Sequence, residues 1–115
     1  MLVLLVAGQA APVSSIQARN SMSGDATYYD VGLGSCGDTS SDNEMIAALS
    51  SSLMSGSNSD LCGKSITVKH SSGSVTLKIV DSCPGCSEGD VDMSKTAFKK
   101  LGKLGQGRIP ISWFL

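Results

Sequence analysis

Four cysteines, Cys36, Cys62, Cys83 and Cys86, in a chain of 115 residues limit this sequence more than any other feature. A domain this short buries a modest share of its surface, and disulfides commonly make up the deficit. Four cysteines can pair in three ways, and sequence alone does not choose among them. Two cysteines three apart also admit a redox motif or a zinc knuckle. A catalytic thiol normally gains from a helix N-terminus, but "VDSCPGC" is a Pro-Gly loop after a strand, and the nearest helix begins near Ser94. Structural zinc sites usually bring paired knuckles, and only one CxxC is present. Two structural disulfides are favoured, most simply Cys36–Cys62 and Cys83–Cys86, the second closing the tighter loop and stabilising less. No metal and no cofactor are expected.

Disulfides imply an oxidising compartment, and the first residues agree. "MLVLLVAGQAAP" resembles the apolar core and cleavage region of a secretory signal peptide, with small residues Gly8 and Ala10 before a cut, although the usual basic start is missing. The run is far too short to span a bilayer, which takes about 20 residues as a helix. Residues 1–23 are therefore set aside as a signal-peptide remnant and weakly structured leader, and 24–115 are read as one secreted domain, expected to be a monomer. The formal charge is −1, and −2 once Arg19 leaves with the leader (−1 minus +1). That excludes a generic nucleic-acid binder and non-specific attraction to anionic membranes.

Short strands dominate the pattern. "DATYY" reads as a strand before the Gly-rich turn "DVGLGSCGD". In "KSITVKHSSGSVTLKIVD", Ile66 and Val68, then Val75, Leu77 and Ile79, alternate with polar residues around a tight turn. "GRIPISWFL" is a closing strand. Two helices are predicted. The first spans "SDNEMIAALSSSLMSG", with Ser41 and Glu44 at capping-box spacing, a stripe of Met45, Ile46, Leu49 and Leu53, and Gly56 as its stop. The second follows Ser94 as N-cap and buries Ala97, Phe98, Leu101 and Leu104, with Lys99, Lys100 and Lys103 toward its C-terminal end. Trp113, Met45, Met54 and Met93 read as packing.

Acids flank the cysteine loop. Asp81 ends one strand, and Asp92 ends the next, just before a helix. Two strand-end carboxylates facing one groove are what glycoside chemistry requires: one protonates the leaving oxygen, the other activates water. Spacing alone favours a plainer role, with Asp92 orienting the helix and Asp81 accepting loop N–H groups.

Taken in order, "GDATYYDVGLGSCG", "LCGKSITV", "VDSCPGC", "DVDMSKTAFKKL" and "GQGRIPISW" resemble the motifs of expansin-like proteins, above all the small fungal loosenins within the rare-lipoprotein-A-like group. The match spans Gly24 to Trp113. The resemblance implies a six-stranded double-psi β-barrel with two or three short helices. It places Asp92 at the aspartate of the expansin "HFD" motif, which reads Asp90-Val91-Asp92 here, without the His and Phe. Asp81 falls at the aspartate after the preceding strand, and Thr27 and Tyr29 at the groove floor. In the related family-45 endoglucanases the HFD aspartate is the general acid and a "TRYWD" aspartate the base; "ATYYD" puts Asp30 near that base position. A hydrolase would use Asp30 and Asp92, whereas Asp30 as a turn residue fits the non-hydrolytic loosenins.

The expected function is binding and loosening of a cell-wall polysaccharide such as cellulose or chitin. Thr27, Asp81 and Asp92 would supply hydrogen bonds, and Tyr28 or Tyr29 a ring face, since strand alternation lets only one of them face the groove. Barrels of this superfamily also resemble secreted inhibitors of papain-like cysteine proteases. An inhibitor would present a rigid loop, "DVGLGSCGD" or "SCPGC", instead of carboxylates.

Overall fold

A computed structural model describes residues 21–55 and 60–115. The leader up to residue 20 and the proposed helix stop Gly56 lie outside the described residues. Six strands, β1 (Ser21–Tyr29), β2 (Ile46–Ser50), β3 (Ser65–His70), β4 (Gly73–Cys83), β5 (Val91–Ser94) and β6 (Ile109–Phe114), form a closed barrel. Their order around the barrel is β1-β5-β2-β4-β3-β6, and β6 pairs back onto β1. The β1–β5 and β2–β4 pairs are parallel, and the remaining four are antiparallel. Closure leaves no sheet edge to be protected. β1 begins at Ser21, so the last three residues set aside with the leader belong to a barrel strand.

The β3–β4 hairpin forms where alternation predicts it. Ile66, Val68, Leu77 and Ile79 point into the core, and Lys69, Thr76 and Lys78 face out. β6 reads the same way, with Ile109, Ile111 and Trp113 buried between exposed Pro110 and Ser112. Trp113 lies in the core, and its indole N–H donates to the Gly89 carbonyl at 2.8 Å. The helix α1 (Lys95–Leu101) starts as expected: the Ser94 hydroxyl accepts from the Ala97 N–H at 3.3 Å and itself donates to the Glu44 carbonyl at 2.6 Å. Ala97, Phe98 and Leu101 are buried in the barrel's hydrophobic core. A 3-10 turn (Leu104–Gln106) follows. Among the described residues no helix is long and apolar enough to cross a membrane.

The helix predicted over Ser41–Gly56 is not there. Ile46–Ser50 form β2 instead, between β4 and β5, with every residue buried. The capping-box bonds do form, but they close a turn: the Ser41 N–H donates to the Glu44 carboxylate at 2.6 Å, and the Glu44 N–H to the Ser41 carbonyl at 3.0 Å. A strand covered on both faces shows no period-2 alternation, so its apolar run mimics a helix stripe. The described residues thus hold one α-helix and one 3-10 turn.

Disulfides join Cys36 to Cys62 and Cys83 to Cys86. The first ties the Gly-rich loop after β1 to the segment before β3. The second closes the turn at the end of β4.

Candidate functional site

One outward face of the barrel collects most of the predicted site. On β1 the alternation sends Ala26 into the core and Thr27 out, Tyr28 in and Tyr29 out. Tyr28 packs edge-on against Phe98 with ring centroids 4.9 Å apart, and its hydroxyl donates to the Leu104 carbonyl at 2.8 Å. It is a core residue. Tyr29 lies near two carboxylates: burial, and then the charges of Asp81 and Asp92, raise its phenol well above the usual range.

On β5, Val91 and Met93 are core and Asp92 faces out between them. Thr27 sits opposite Asp92 in the parallel β1–β5 register, and its hydroxyl donates to Asp92 Oδ1 at 2.8 Å. β2 contributes Ala48, which lies opposite Asp92 on one side and Asp81 on the other. Ala48 is 2% exposed and small enough to leave a floor between the two acids. Strand spacing puts the α-carbons of Asp81 and Asp92 about 10 Å apart, two strand separations.

A β-bulge aims Asp81. The β2–β4 register shifts between Ala47, opposite Ile79, and Ala48, opposite Asp81, so that Val80 is the extra residue. Strict alternation after the inward-facing Ile79 would turn Asp81 into the core. The bulge changes the phase and sends it out beside Asp92, as bulges do near functional sites. Asp81 Oδ1 accepts the backbone N–H groups of Ser35 at 2.9 Å and Ser82 at 2.8 Å, so the acid also fastens the Gly-rich loop. That loop lies close on β4: the Cys36 N–H donates to the Val80 carbonyl at 3.2 Å, and a Cβ on Gly34 would collide with the same oxygen.

Burial raises the Asp92 carboxyl above its ordinary value, the Thr27 hydrogen bond partly opposes this, and the charge of Asp81 adds to the rise. A carboxyl that holds its proton more tightly is suited to donating it or to hydrogen-bonding a hydroxyl. The Cys83–Cys86 disulfide borders it, the two sulfurs and an Asp92 oxygen lying within 4.8 Å of one another. Both sulfurs are already bonded to each other, so this trio is not a thiolate metal site.

Two other acids sit apart. Asp30, just past the end of β1, has a side chain 82% exposed and pairs with Lys95 Nζ at 2.8 Å. The carboxylate whose charge bears on Asp92 is that of Asp81. Asp90 stitches the fold: it accepts the N–H groups of Asp25 at 3.0 Å and Ser87 at 3.1 Å, while Arg108 lies 3.0 Å from Asp25 and 3.9 Å from Asp90. Sequence reading missed Ala48, hidden in a supposed helix, and Ser35, whose contribution is a backbone N–H. The glycine at Gly34 was the available signal for the close approach.

A small disulfide-stapled double-psi barrel with an acidic outward face defines the class. The chain belongs to the rare-lipoprotein-A-like double-psi barrel family described as "Lytic transglycolase", whose model matches residues 21–113. It is similar to the papain inhibitor of Streptomyces mobaraensis, 33% identical over 118 residues that cover 96% of this chain and 81% of the inhibitor. The solved Streptomyces papain inhibitor superposes with a TM-score of 0.76 at 30% identity, over 82% of this chain and 92% of that one. A mutant Clavibacter michiganensis expansin in complex with cellohexaose superposes with a TM-score of 0.72 at 32% identity, over 81% of this chain and 48% of that one. The Allergen Asp f 7 homolog of Arthroderma benhamiae is 34% identical over 87 residues, 73% of this chain; the chain spans 30% of that relative's length.

Proposed function

We propose that this protein is secreted and binds a cell-wall β-glucan along the face formed by Thr27, Tyr29, Asp81 and Asp92, loosening it without cleaving it. The observation that carries the reading is the pairing of the raised Asp92 carboxyl with Thr27 beside the ring of Tyr29. Sugars need both an apolar surface for the ring and strong acceptors for hydroxyls, and this face offers each. The expansin relative solved with cellohexaose supports the choice of ligand. Non-hydrolytic action is favoured because Asp30, the second carboxylate of the hydrolytic reading, is exposed and neutralised by Lys95. Pull-down by insoluble cellulose, chitin and xylan, with sugar release measured alongside, tests it: binding without release is expected, and release lost in Asp92→Asn establishes a hydrolase instead.

A second reading, inhibition of papain-like cysteine proteases, is favoured by one observation. A papain inhibitor is matched over most of both chains, whereas the chain spans about half of the expansin.

A further inference from the structure

The most exposed large hydrophobic residue among the described ones is Leu33, 74% exposed in the loop between β1 and β2. Burying a leucine is worth roughly 1.5–3 kcal/mol, so an isolated one held out in water offers binding energy. Single exposed leucines are common on mobile loops, but the backbone around this one is tied at every step. Leu33 bridges to Thr39, the Ser40 N–H donates to the Gly32 carbonyl at 2.9 Å, and the Gly34 N–H donates to the Asp38 carbonyl at 3.0 Å. Ser35 is fastened to Asp81, Cys36 to Val80, and the Cys36–Cys62 disulfide anchors the far side. A partner would bind this loop without paying to order it.

The charges around it are one-sided. Residues 30–44, the loop and its flanks, hold four acids, Asp30, Asp38, Asp42 and Glu44, and neither lysine nor arginine. Within the loop region Asp38 and Asp42 are exposed, and Asp42 accepts the Val31 N–H at 3.4 Å. From the helix, Lys95 pairs with Asp30. An exposed apolar side chain on an acidic loop is complementary to an apolar pocket rimmed by cations.

We infer that Leu33 is the anchor of a protein-docking loop, inserted into an apolar subsite beside the reactive thiol of a papain-like cysteine protease whose rim is basic. The inference rests on the inhibitor reading above and gives that reading its contact residue. Closed on itself on both sides of Leu33, the loop plugs a cleft without extending into the strand that a substrate segment adopts there.

The test measures papain inhibition by the oxidised protein, by Leu33→Ala and Leu33→Asp, and by the exposed-helix control Lys100→Ala, at low and high ionic strength. Thermal melts report folding, which exposed Leu33 substitutions should preserve. The expected result is inhibition by the wild type and the control, a rise of about tenfold or more in inhibition constant for Leu33→Ala, a larger rise for Leu33→Asp, and slower association at high salt. Wild-type inhibition that Leu33→Ala leaves unchanged overturns the anchor and leaves the inhibitor reading standing. A wild type that does not inhibit papain at all overturns both.

Discussion

Thr27 donates its hydroxyl hydrogen to Asp92 across the parallel β1–β5 pair, at 2.8 Å. This bond opposes the effects of burial and of Asp81 on the Asp92 carboxyl. Thr27→Val should therefore raise the Asp92 titration further without disturbing the barrel. Carbon-detected NMR of the Asp92 carboxyl against pH reads this directly; an unchanged midpoint means that the hydroxyl does not hold the ionised form.

The raised Asp92 also predicts how stability depends on pH. Its folded-state value lies above the unfolded one, so the folded protein binds the proton more tightly. The stabilisation this brings is present at acid pH and is lost as pH rises through the folded value. Asp92→Asn, which keeps an acceptor for Thr27 and removes the charge, should melt higher than wild type at neutral pH, with the difference closing as pH falls into the ordinary carboxylate range. Melts across that range check the sign; a variant that melts lower at neutral pH contradicts it.

The two neighbouring tyrosines should separate cleanly. Tyr28→Phe loses the hydrogen bond to the Leu104 carbonyl, at a cost of about 0.5–1.5 kcal/mol, and keeps polysaccharide binding. Tyr29→Ala, which removes a half-buried ring from β1, should lower the melting temperature modestly and weaken binding by roughly tenfold, as losing a stacking platform would. Denaturant melts and pull-downs on both variants decide the matter.

The disulfides close loops of very different length, with sequence separations of 26 and 3. Chain entropy alone assigns about 3.6 kcal/mol to Cys36–Cys62 and about 1.9 kcal/mol to Cys83–Cys86. Replacing each pair with serines and comparing unfolding midpoints should rank them in that order. The Cys83–Cys86 replacement should act more strongly on binding than on stability, because that loop borders Asp92.

Much of this architecture was legible in the sequence for identifiable reasons. The β3–β4 hairpin alternates because one face of each strand meets solvent. Helix α1 announces itself through Ser94, whose hydroxyl does cap it. β2 was misread because Ile46–Ser50 is buried on both faces and rich in alanine, a good helix former whose preference the barrel overrides. Asp81 and Asp92 stand out in the sequence as candidates, but the bulge at Val80 that aims Asp81 leaves no mark there: "KIVDS" reads equally well without it. Motif position points to Asp30, and its exposure and the Lys95 contact, neither visible in the sequence, separate it from Asp81 and Asp92.

Calorimetric titration of the oxidised protein with cellohexaose, beside Asp92→Ala and Leu33→Ala, decides whether the Asp92 face holds a glucan chain. Saturable binding by the wild type is expected, retained in Leu33→Ala and lost in Asp92→Ala, with no reducing sugar released. Binding of equal strength in Asp92→Ala, or no binding by the wild type, would contradict the assignment of this face to a polysaccharide.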